Sequence, residues 1–304
     1  MNIIYNGTDI FDDIYLNQCV HEAFAEKQAD SLVLRFLDSD GIWSDWSPSK
    51  GDEVEVSDEE TDTGIMYVHS AKAENGLYTI RALSIPIDAT TKCSCSWEGV
   101  RLLQLGEEIA DQYGLTFESY EVEDQVYPYL VRENETDLGF YSRLCTLEGC
   151  EMIVCDGKLI VYDEAAMELT ENQCEIEVGE DGHFSYNDNT AEVYGSCEIL
   201  SDSFAGSFDG PDDSTAVLRP HGIRITSDAE AARFAKGLLR NANKYARTGA
   251  FVKDLQGSVS AASMLDLTTV KANAWNGPVF VYRIRNDYIM NSSTIYFRHI
   301  LEGY

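Results

Sequence analysis

The segment from Val126 to Asp163 constrains the fold more than any other part of the chain. Its pattern predicts a strand, a short capped helix and then a two-stranded hairpin. Asn134 and Thr136 are candidate caps of the helix, Asp137 stands in its first turn, and Gly149 follows its last turn. The segment therefore predicts a compact module that alternates strands and helices.

The remaining residues of this segment supply packing surfaces. Leu138, Tyr141, Leu144 and Cys145 recur at the spacing of one helical face. The dipeptide Asp156-Gly157 separates two apolar runs and accepts the positive φ that a type I′ hairpin turn requires. No catalytic arrangement is recognisable here, so the module indicates architecture and not chemistry.

Residues 1–90 are expected to form strands. Leu32, Leu34 and Phe36 alternate as one face of a strand does, and similar runs follow at residues 54–56, 65–70 and 77–85. Turns are expected at Asp40-Gly41 and Asn75-Gly76. The acidic run 57–64 is expected to be a solvated loop, and Pro86 to end this unit.

Residues 91–165 are expected to form an inserted module. A helix is predicted over residues 97–115, capped by Ser96 and stopped by Gly114. Its apolar stripe could be a ligand groove, but packing on a neighbouring sheet is far commoner. The stripe consists of Leu102, Leu105, Ile109 and Tyr113.

Residues 166–304 return to a β pattern interrupted by one clear helix. The run 203–214 predicts a loop, and Ser227 to Glu230 forms a capping box that opens the helix. Its expected apolar face is Ala231, Phe234, Ala235, Leu238 and Ala242. Its other side is basic, and the last strands, around a turn at 291–293, add further arginines. Our interface candidates are Arg233, Lys236, Arg240, Lys244, Arg283 and Arg285.

The charge distribution explains that choice. The net charge is −31; residues 1–218 carry 10 Lys and Arg against 47 Asp and Glu, whereas residues 219–304 carry 12 against 6. A basic part could dock on an acidic neighbour, including a second copy of the chain. The simpler alternative is a solvated basic helix. An acidic surface repels phosphate, so we expect no specific nucleic-acid binding.

Length and hydropathy limit the class of protein. With 304 residues and 44% hydrophobic content, the chain can bury a core in one to three domains. No apolar run approaches the roughly 20 residues that a spanning helix needs, and the N-terminus lacks the features of a secretory signal. We therefore expect that the chain does not insert into a membrane and that it assembles in the cytoplasm.

Enzyme signatures are missing from the sequence. The five histidines have no metal-helix spacing, and neither a phosphate loop nor a nucleophile elbow occurs. The eight cysteines lack the paired spacing of zinc ligands, so buried thiols are favoured over a metal or disulfides. We expect no metal, no cofactor and no catalytic residues. Among 53 acidic residues, two carboxylates at the distance that a glycosidase needs could always be imagined. Such a pair is therefore little evidence for a hydrolase.

A family resemblance follows from the order of these motifs. Arg132, the Thr136-Asp137 pair, the Phe140-containing helix and the Glu148-Gly149 turn together resemble phage late control D proteins. The predicted helix 97–115 and the tryptophans Trp43 and Trp46 before a Lys-Gly-Asp step fit the same family. These proteins are baseplate hubs of contractile tails and are similar to the N-terminal part of type VI secretion spike proteins. The resemblance is strongest over residues 28–165.

The resemblance implies a fold and a role. The expected fold is mainly β (α+β): a first tube-type β-barrel at 1–90, the inserted mixed α/β module at 91–165, and a second barrel with one long helix at 166–304. The expected role is a homotrimeric adaptor between a sixfold tail tube and a threefold spike, in a phage or a phage-derived bacteriocin. Expected partners are the tail tube protein, the spike or tip protein and other baseplate proteins, with spike and hydrolase on separate chains.

Two alternatives stay open from sequence. The chain could be a peptidoglycan hydrolase carried by the tail, which a zymogram would detect. The module 91–165 could instead be a partner-binding or wall-binding domain.

Overall fold

The structure, a computed structural model that describes all 304 residues, is built mainly from β-strands, as predicted. The strands of the first part are β1 Asn2–Tyr5, β2 Thr8–Asp9, β3 Leu16–Phe24, β4 Ser31–Leu37, β5 Glu53–Ser57, β6 Met66–Glu74 and β7 Leu77–Leu83. Those of the middle part are β8 Cys93–Arg101, β9 Thr116–Tyr120, β10 Val126–Glu135, β11 Cys150–Cys155 and β12 Lys158–Asp163.

The last part of the chain contains the other nine strands and the longest helix. These strands are β13 Cys174–Val178, β14 Phe184–Asp188, β15 Ser196–Leu200, β16 Ala205–Asp209, β17 Val217–Leu218, β18 Arg247–Asp254, β19 Ser263–Thr269, β20 Gly277–Asp287 and β21 Ser292–His299. The helices of the whole chain are α1 Ile42–Trp46, α2 Leu102–Gln112, α3 Asp137–Leu147, α4 Glu164–Met167 and α5 Asp228–Asn243. No helix has both the length and the apolar character needed to cross a membrane.

One 13-stranded sheet runs through both ends of the chain. Its path is β14-β18-β21-β20-β3-β4-β7-β6-β5-β1-β2, with β19 paired to β20 and β13 paired to β19. Strands β1–β7 enclose one apolar core, and the strands of the last part enclose a second. The division into two barrels at the predicted boundaries stays a prediction, because the strand pairing describes a single open path.

The seam between the two halves lies where β20 changes partners. Up to Val281, β20 pairs with β19; from Arg283 onward it pairs with β3, where Arg283 lies opposite Phe24 and Asp287 opposite Val20. The register of β20 against β21 shifts between Val281 and Arg283, as at a β-bulge, which bends a strand and increases its twist. This irregularity lets one strand serve both halves.

The remaining elements form a module beside the sheet. Strands β8 and β10 pair as a two-stranded ribbon, while β11, β12 and β9 form a three-stranded sheet that α2 and α3 cover. Helix α5 and strands β15–β17 come from the last part of the chain but share the module's apolar core. One face of α5 is thus packed against the module.

Several local predictions are confirmed. Thr136 caps α3, where its side-chain oxygen accepts a hydrogen bond from the Gly139 amide, and Gly149 ends it at φ +78°. Asp156 and Gly157 both have positive φ in the β11–β12 turn. The Ser227 side chain caps α5 by accepting from the Glu230 amide.

Two local predictions are wrong. Helix α2 begins at Leu102 and not at residue 97, because residues 93–101 extend as β8 and pair with β10. The predicted loop 203–214 contains β16, which pairs with β15. A glycine in β16 explains the misleading pattern, since a Cβ on Gly206 would lie 2.3 Å from the Ala232 amide nitrogen of α5. The turn expected at Asp40-Gly41 is present, and it leads into α1.

Replacing Gly237 by alanine tests the closest approach of α5 to the module. A Cβ at this position would lie 2.5 Å from the Leu147 carbonyl oxygen and 2.7 Å from the Gly149 amide nitrogen. Alanine has a higher helix propensity than glycine, but overpacking costs about 1–3 kcal/mol. We expect Gly237→Ala to lower the free energy of unfolding in urea. Gly179→Ala, where no atom lies within 4 Å, is the control, and equal stabilities would contradict the close contact.

Candidate functional site: a buried ion cluster

A cluster of ionised side chains lies where the sheet, the module and α5 meet. We call it the junction cluster, and its members are Glu26, Glu151, Glu164, Glu168, Arg240, Lys244 and Arg298. They come from the loop after β3, from β11, from α4 and its C-cap, from the last turns of α5, and from β21. Each side chain is at most 6% exposed. Isolated charges would be very costly in such a place, so pairing decides whether the fold can form.

Lys244 is the centre of one half of the cluster. Its ammonium contacts Glu26, lies 2.6 Å from Glu151 Oε1 and lies 3.0 Å from Glu164 Oε1. Those three carboxylates come from the β3–β4 loop, β11 and α4, so one ammonium group connects three segments of the chain. Its three donors match the three acceptors.

Two arginines complete the other half. Arg240 Nε donates to Glu164 Oε2 at 3.1 Å, and its second nitrogen pairs with Glu168 at 2.6 Å. Arg298 donates to Glu164 Oε1 at 2.9 Å and also pairs with Glu168. Glu168 accepts a further bond from the Leu301 amide at 2.9 Å. The cluster therefore ties α5 and the last strand of the sheet to α4.

The electrostatic environment keeps Glu164 ionised. Burial opposes its charge, but Arg298, Lys244 and Arg240 outweigh burial and lower the pKa of Glu164 to about 2. Burial likewise opposes the charge of Lys244, yet Glu151, Glu164 and Glu26 raise the pKa of its ammonium above the ordinary value. Both groups are charged at neutral pH.

Glu151 has the opposite behaviour. Burial raises the pKa of Glu151 to about 8, although Lys244 acts to lower it, and the neighbouring Glu26 raises it further. The cluster contains four carboxylates and only three buried cations, so one carboxylate is in excess. A proton on Glu151 at neutral pH removes this excess. A fourth cation, Lys27, is 37% exposed at the rim of the cluster, and its Nζ lies 3.8 Å from Glu151 Oε1.

Three carboxylates of the cluster lie close enough together to suit a metal ion. Glu26, Glu151 and Glu164 offer oxygens that lie within 4.8 Å of one another, which could suit a cation. Lys244 contacts all three and provides the positive charge from within the chain. The geometry is that of a structural ion cluster.

Three of the six predicted interface residues lie on α5, and a fourth, Lys244, is its C-cap. Arg240 and Lys244 are buried in the junction cluster, so the prediction that they face a neighbour is wrong, because their acidic partners belong to the same chain. Arg233 is partly exposed and donates to both oxygens of Glu148 at 3.0 and 3.1 Å. Only Lys236 is fully on the surface. Its contact with a neighbour stays a prediction.

The other two candidates, Arg283 and Arg285, lie on β20 at the seam. Arg283 donates to Glu22 of β3 at 2.8 Å and lies over the Tyr296 ring at 4.6 Å. Arg285 lies 3.4 Å from Asp287 and 3.7 Å from Glu22. Both are about one-third exposed, so a role in contacts between chains stays a prediction.

The residues that carried the family resemblance form a second buried pair. Arg132 of β10 contacts Asp137 at the start of α3, and both are nearly inaccessible. The Arg132 guanidinium lies 5.5 Å from the centre of the Trp97 ring, which stacks on Phe140. Arg132 also lies 2.7 Å from the thiol of Cys93, which is exposed, contrary to the prediction of buried thiols. This motif therefore joins the ribbon to α3.

Removing Asp137 tests this pair. Asp137→Ala leaves the buried guanidinium of Arg132 without its carboxylate, so we expect the free energy of unfolding to fall by about 3–5 kcal/mol. Glu133→Ala is the matched control. Glu133 follows Arg132 in β10 but forms an exposed pair with Arg224, and such a pair is worth less than about 1 kcal/mol. Urea denaturation measures both. Equal losses would mean that Asp137 is not needed to compensate Arg132.

The fold is shared with proteins of phage tails. A tail protein from Neisseria meningitidis MC58 is 10% identical, with a TM-score of 0.75, over 98% of this chain and 95% of that one. The 43 kDa tail protein of prophage MuSo2 from Shewanella oneidensis is 10% identical, with a TM-score of 0.73, over 98% and 97%. The E. coli c3393 protein, a type VI secretion component with structural similarity to the T4 tail proteins gp27 and gp5, is 12% identical, with a TM-score of 0.62, over 100% and 79%.

These likenesses establish the fold. The chain has the fold of these phage tail proteins, and the predicted resemblance is confirmed at the level of the fold. No protein-family model matches the chain, and no curated protein sequence matches it.

Proposed function

We propose that the chain is a structural baseplate hub of a contractile tail-like particle, and that three copies join a sixfold tail tube to a threefold spike. Its partners would be the tube protein, the spike or tip protein and other baseplate proteins, and its place would be the tail of the assembled particle. The fold likeness extends over nearly the whole of this chain and of two tail proteins, which supports a structural role and not an enzymatic one.

The observation that carries the proposal is the seam between β20 and β3. Five residue pairs join the first-half and second-half strands into one sheet, and Arg283 donates a hydrogen bond to Glu22 across the seam. Two strand bodies held rigidly in one chain would give six bodies in a ring of three chains. Such a ring could match six positions on one face and three on the other, since most soluble homo-oligomers have closed symmetry.

The junction cluster supports the same role. Its ion pairs connect the sheet, the module and α5, so the units cannot turn relative to one another without exposing unpaired charges. A part that transmits force between a tube and a spike needs this kind of rigidity. The excess of carboxylates elsewhere leaves an acidic surface, compatible with a pore through which nucleic acid slides without binding.

Mass measurement of the purified chain tests the proposal. We expect light scattering at micromolar concentration and moderate salt to give three times the 34.0 kDa of one chain, and negative-stain images to show a threefold ring. A particle of one chain under these conditions would contradict self-assembly. Clearing of peptidoglycan in a zymogram would contradict the structural role and support a hydrolase.

A further inference from the structure

A cavity of about 450 Å³ lies over the seam between β20 and β3, and we call it the seam cavity. Its floor contains residues of both strands, since His21 of β3 lies directly opposite Asn286 of β20. Its walls come from residues 60–64 of the acidic loop, from the β11–β12 hairpin of the module and from residues 256–261. Three parts of the chain therefore meet around this cavity.

The acidic loop touches both of the other walls. A Cβ on Gly64 would lie 2.8 Å from the Asp156 Cβ in the module, and a Cβ on Gly257 would overlap the Glu60 carbonyl oxygen. Approaches this close leave no room for a side chain at either glycine. Direct contacts within the chain thus hold the walls of the cavity together.

The seam cavity is strongly acidic. The residues around it include no lysine or arginine but five carboxylates, which are Asp30, Glu55, Glu60, Asp62 and Asp156. None of the five forms an ion pair. Burial raises the pKa of Glu55, and the charges of Asp62 and Asp156 raise it further, so these three carboxylates repel one another.

The neighbouring cations do not offset this charge. Lys158, at the start of β12, pairs with Glu118 at 3.0 Å, and Arg285 lies on the opposite face of β20. Lys253 shares the inner row of the sheet but lies two strands beyond Asn286, roughly 10 Å away. The junction cluster lies farther along β11, and its cations pair with its own carboxylates. The cavity therefore attracts a positively charged ligand.

The floor of the cavity contains a buried side chain that lacks a partner. His21 is 5% exposed, and neither of its ring nitrogens has a hydrogen-bond partner in the chain. Burial lowers the pKa of His21 to about 4, so the imidazole is neutral at pH 7 and one nitrogen is free to accept a hydrogen bond. A buried polar group without a partner is costly, and a ligand that donates to His21 would remove that cost.

The spread of these groups favours an elongated cation over a metal ion. The acidic, histidine and cysteine side chains that lie close enough together to hold a metal ion are those of the junction cluster, and the groups around the seam cavity are farther apart. Apolar side chains also line the cavity, among them Ile153, Val259 and Ile284. We propose that the seam cavity binds an aliphatic polyamine, whose ammonium groups contact the carboxylates and His21 and whose methylene groups contact the apolar side chains.

Titration calorimetry of the full chain with spermidine at physiological salt tests the proposal. The test variant combines Glu55→Gln, Asp62→Asn and Asp156→Asn. The matched variant combines Glu171→Gln, Asp111→Asn and Asp181→Asn, which lie elsewhere on the surface and change the net charge equally. None of the six side chains is buried, so both variants should fold.

We expect the full chain to bind spermidine at a saturable site. The test variant should weaken binding by about tenfold or more. The matched variant should change it by less than about twofold, because exposed and distant charges are screened by salt. No saturable binding, or equal weakening by both variants, would overturn the proposal.

The substitution His21→Leu tests the floor of the cavity separately. It should weaken spermidine binding by about threefold or more, yet raise the free energy of unfolding without spermidine, because a buried polar group that lacks a partner is removed. An unchanged affinity would contradict the contact with His21. Calcium chloride is the control ligand, and tighter binding of Ca²⁺ than of spermidine, lost in the test variant, would make the cavity a metal site and overturn the proposal. The cavity lies within one chain, so the inference does not depend on the hub proposal.

Discussion

Replacing Lys244 by methionine is expected to destabilise the protein more than any other single substitution considered. Methionine retains the length of the side chain but leaves Glu26, Glu151 and Glu164 around an uncharged group. Losing one partner of a buried pair costs about 3–5 kcal/mol, and here two carboxylates and the protonated Glu151 lose the same ammonium group. Urea denaturation at neutral pH should show a loss at or above that range.

The neighbouring Lys236→Met is the control for this substitution, since Lys236 lies on the exposed side of the same helix and should change stability by less than about 0.5 kcal/mol. A second variant, Lys244→Met with Glu26→Gln, should recover part of the loss because one carboxylate around the missing ammonium group is removed. If Lys244→Met costs no more than Lys236→Met, the cluster does not hold the units together.

The substitution Glu151→Gln should change the pH dependence of stability. In the folded chain burial raises the pKa of Glu151 to about 8, whereas an unfolded glutamate titrates near its ordinary 4.5. Between these values the unfolded chain releases a proton that the folded chain retains, so stability falls as the pH rises from about 4.5 to 8 and is constant above. The total loss is on the order of 5 kcal/mol.

Glutamine imitates the protonated carboxyl, so Glu151→Gln should remove this loss. We expect the variant to exceed the native protein in free energy of unfolding at pH 8.5 and to match it, or fall below it, near pH 4.5. Urea denaturation at both values measures the difference, and Glu133→Gln, fully on the surface, is the control. A difference that does not vary with pH would show that Glu151 is ionised in the folded chain.

The parts of the fold that sequence predicts well depend on neighbours along the chain. The cap at Thr136, the end of α3 at Gly149 and the Asp156-Gly157 turn are each specified within a few residues, and all three are confirmed. The start of α2, in contrast, is determined by residues that are distant in sequence. Residues 93–101 become a strand only because β10, some thirty residues later, pairs with them.

The candidate site shows the same division more strongly. The pattern of α5 identifies Arg240 and Lys244 as lying opposite the apolar residues, which for an isolated helix would mean solvent. Their partners, Glu164 and Glu26, are 76 and 218 positions away in sequence. The periodicity of a helix cannot reveal partners so far away in sequence. An exposed basic face and a face buried in an ion cluster therefore have the same sequence pattern.

The pairing of β20 with β3 has a consequence for synthesis. A ribosome makes β3 long before β20, so one edge of β3 has no partner until β20 has been translated. Until then the nascent chain presents an open strand to other molecules, the situation in which strands aggregate. Chaperone holding or slow maturation of the early strands would therefore be part of making this protein.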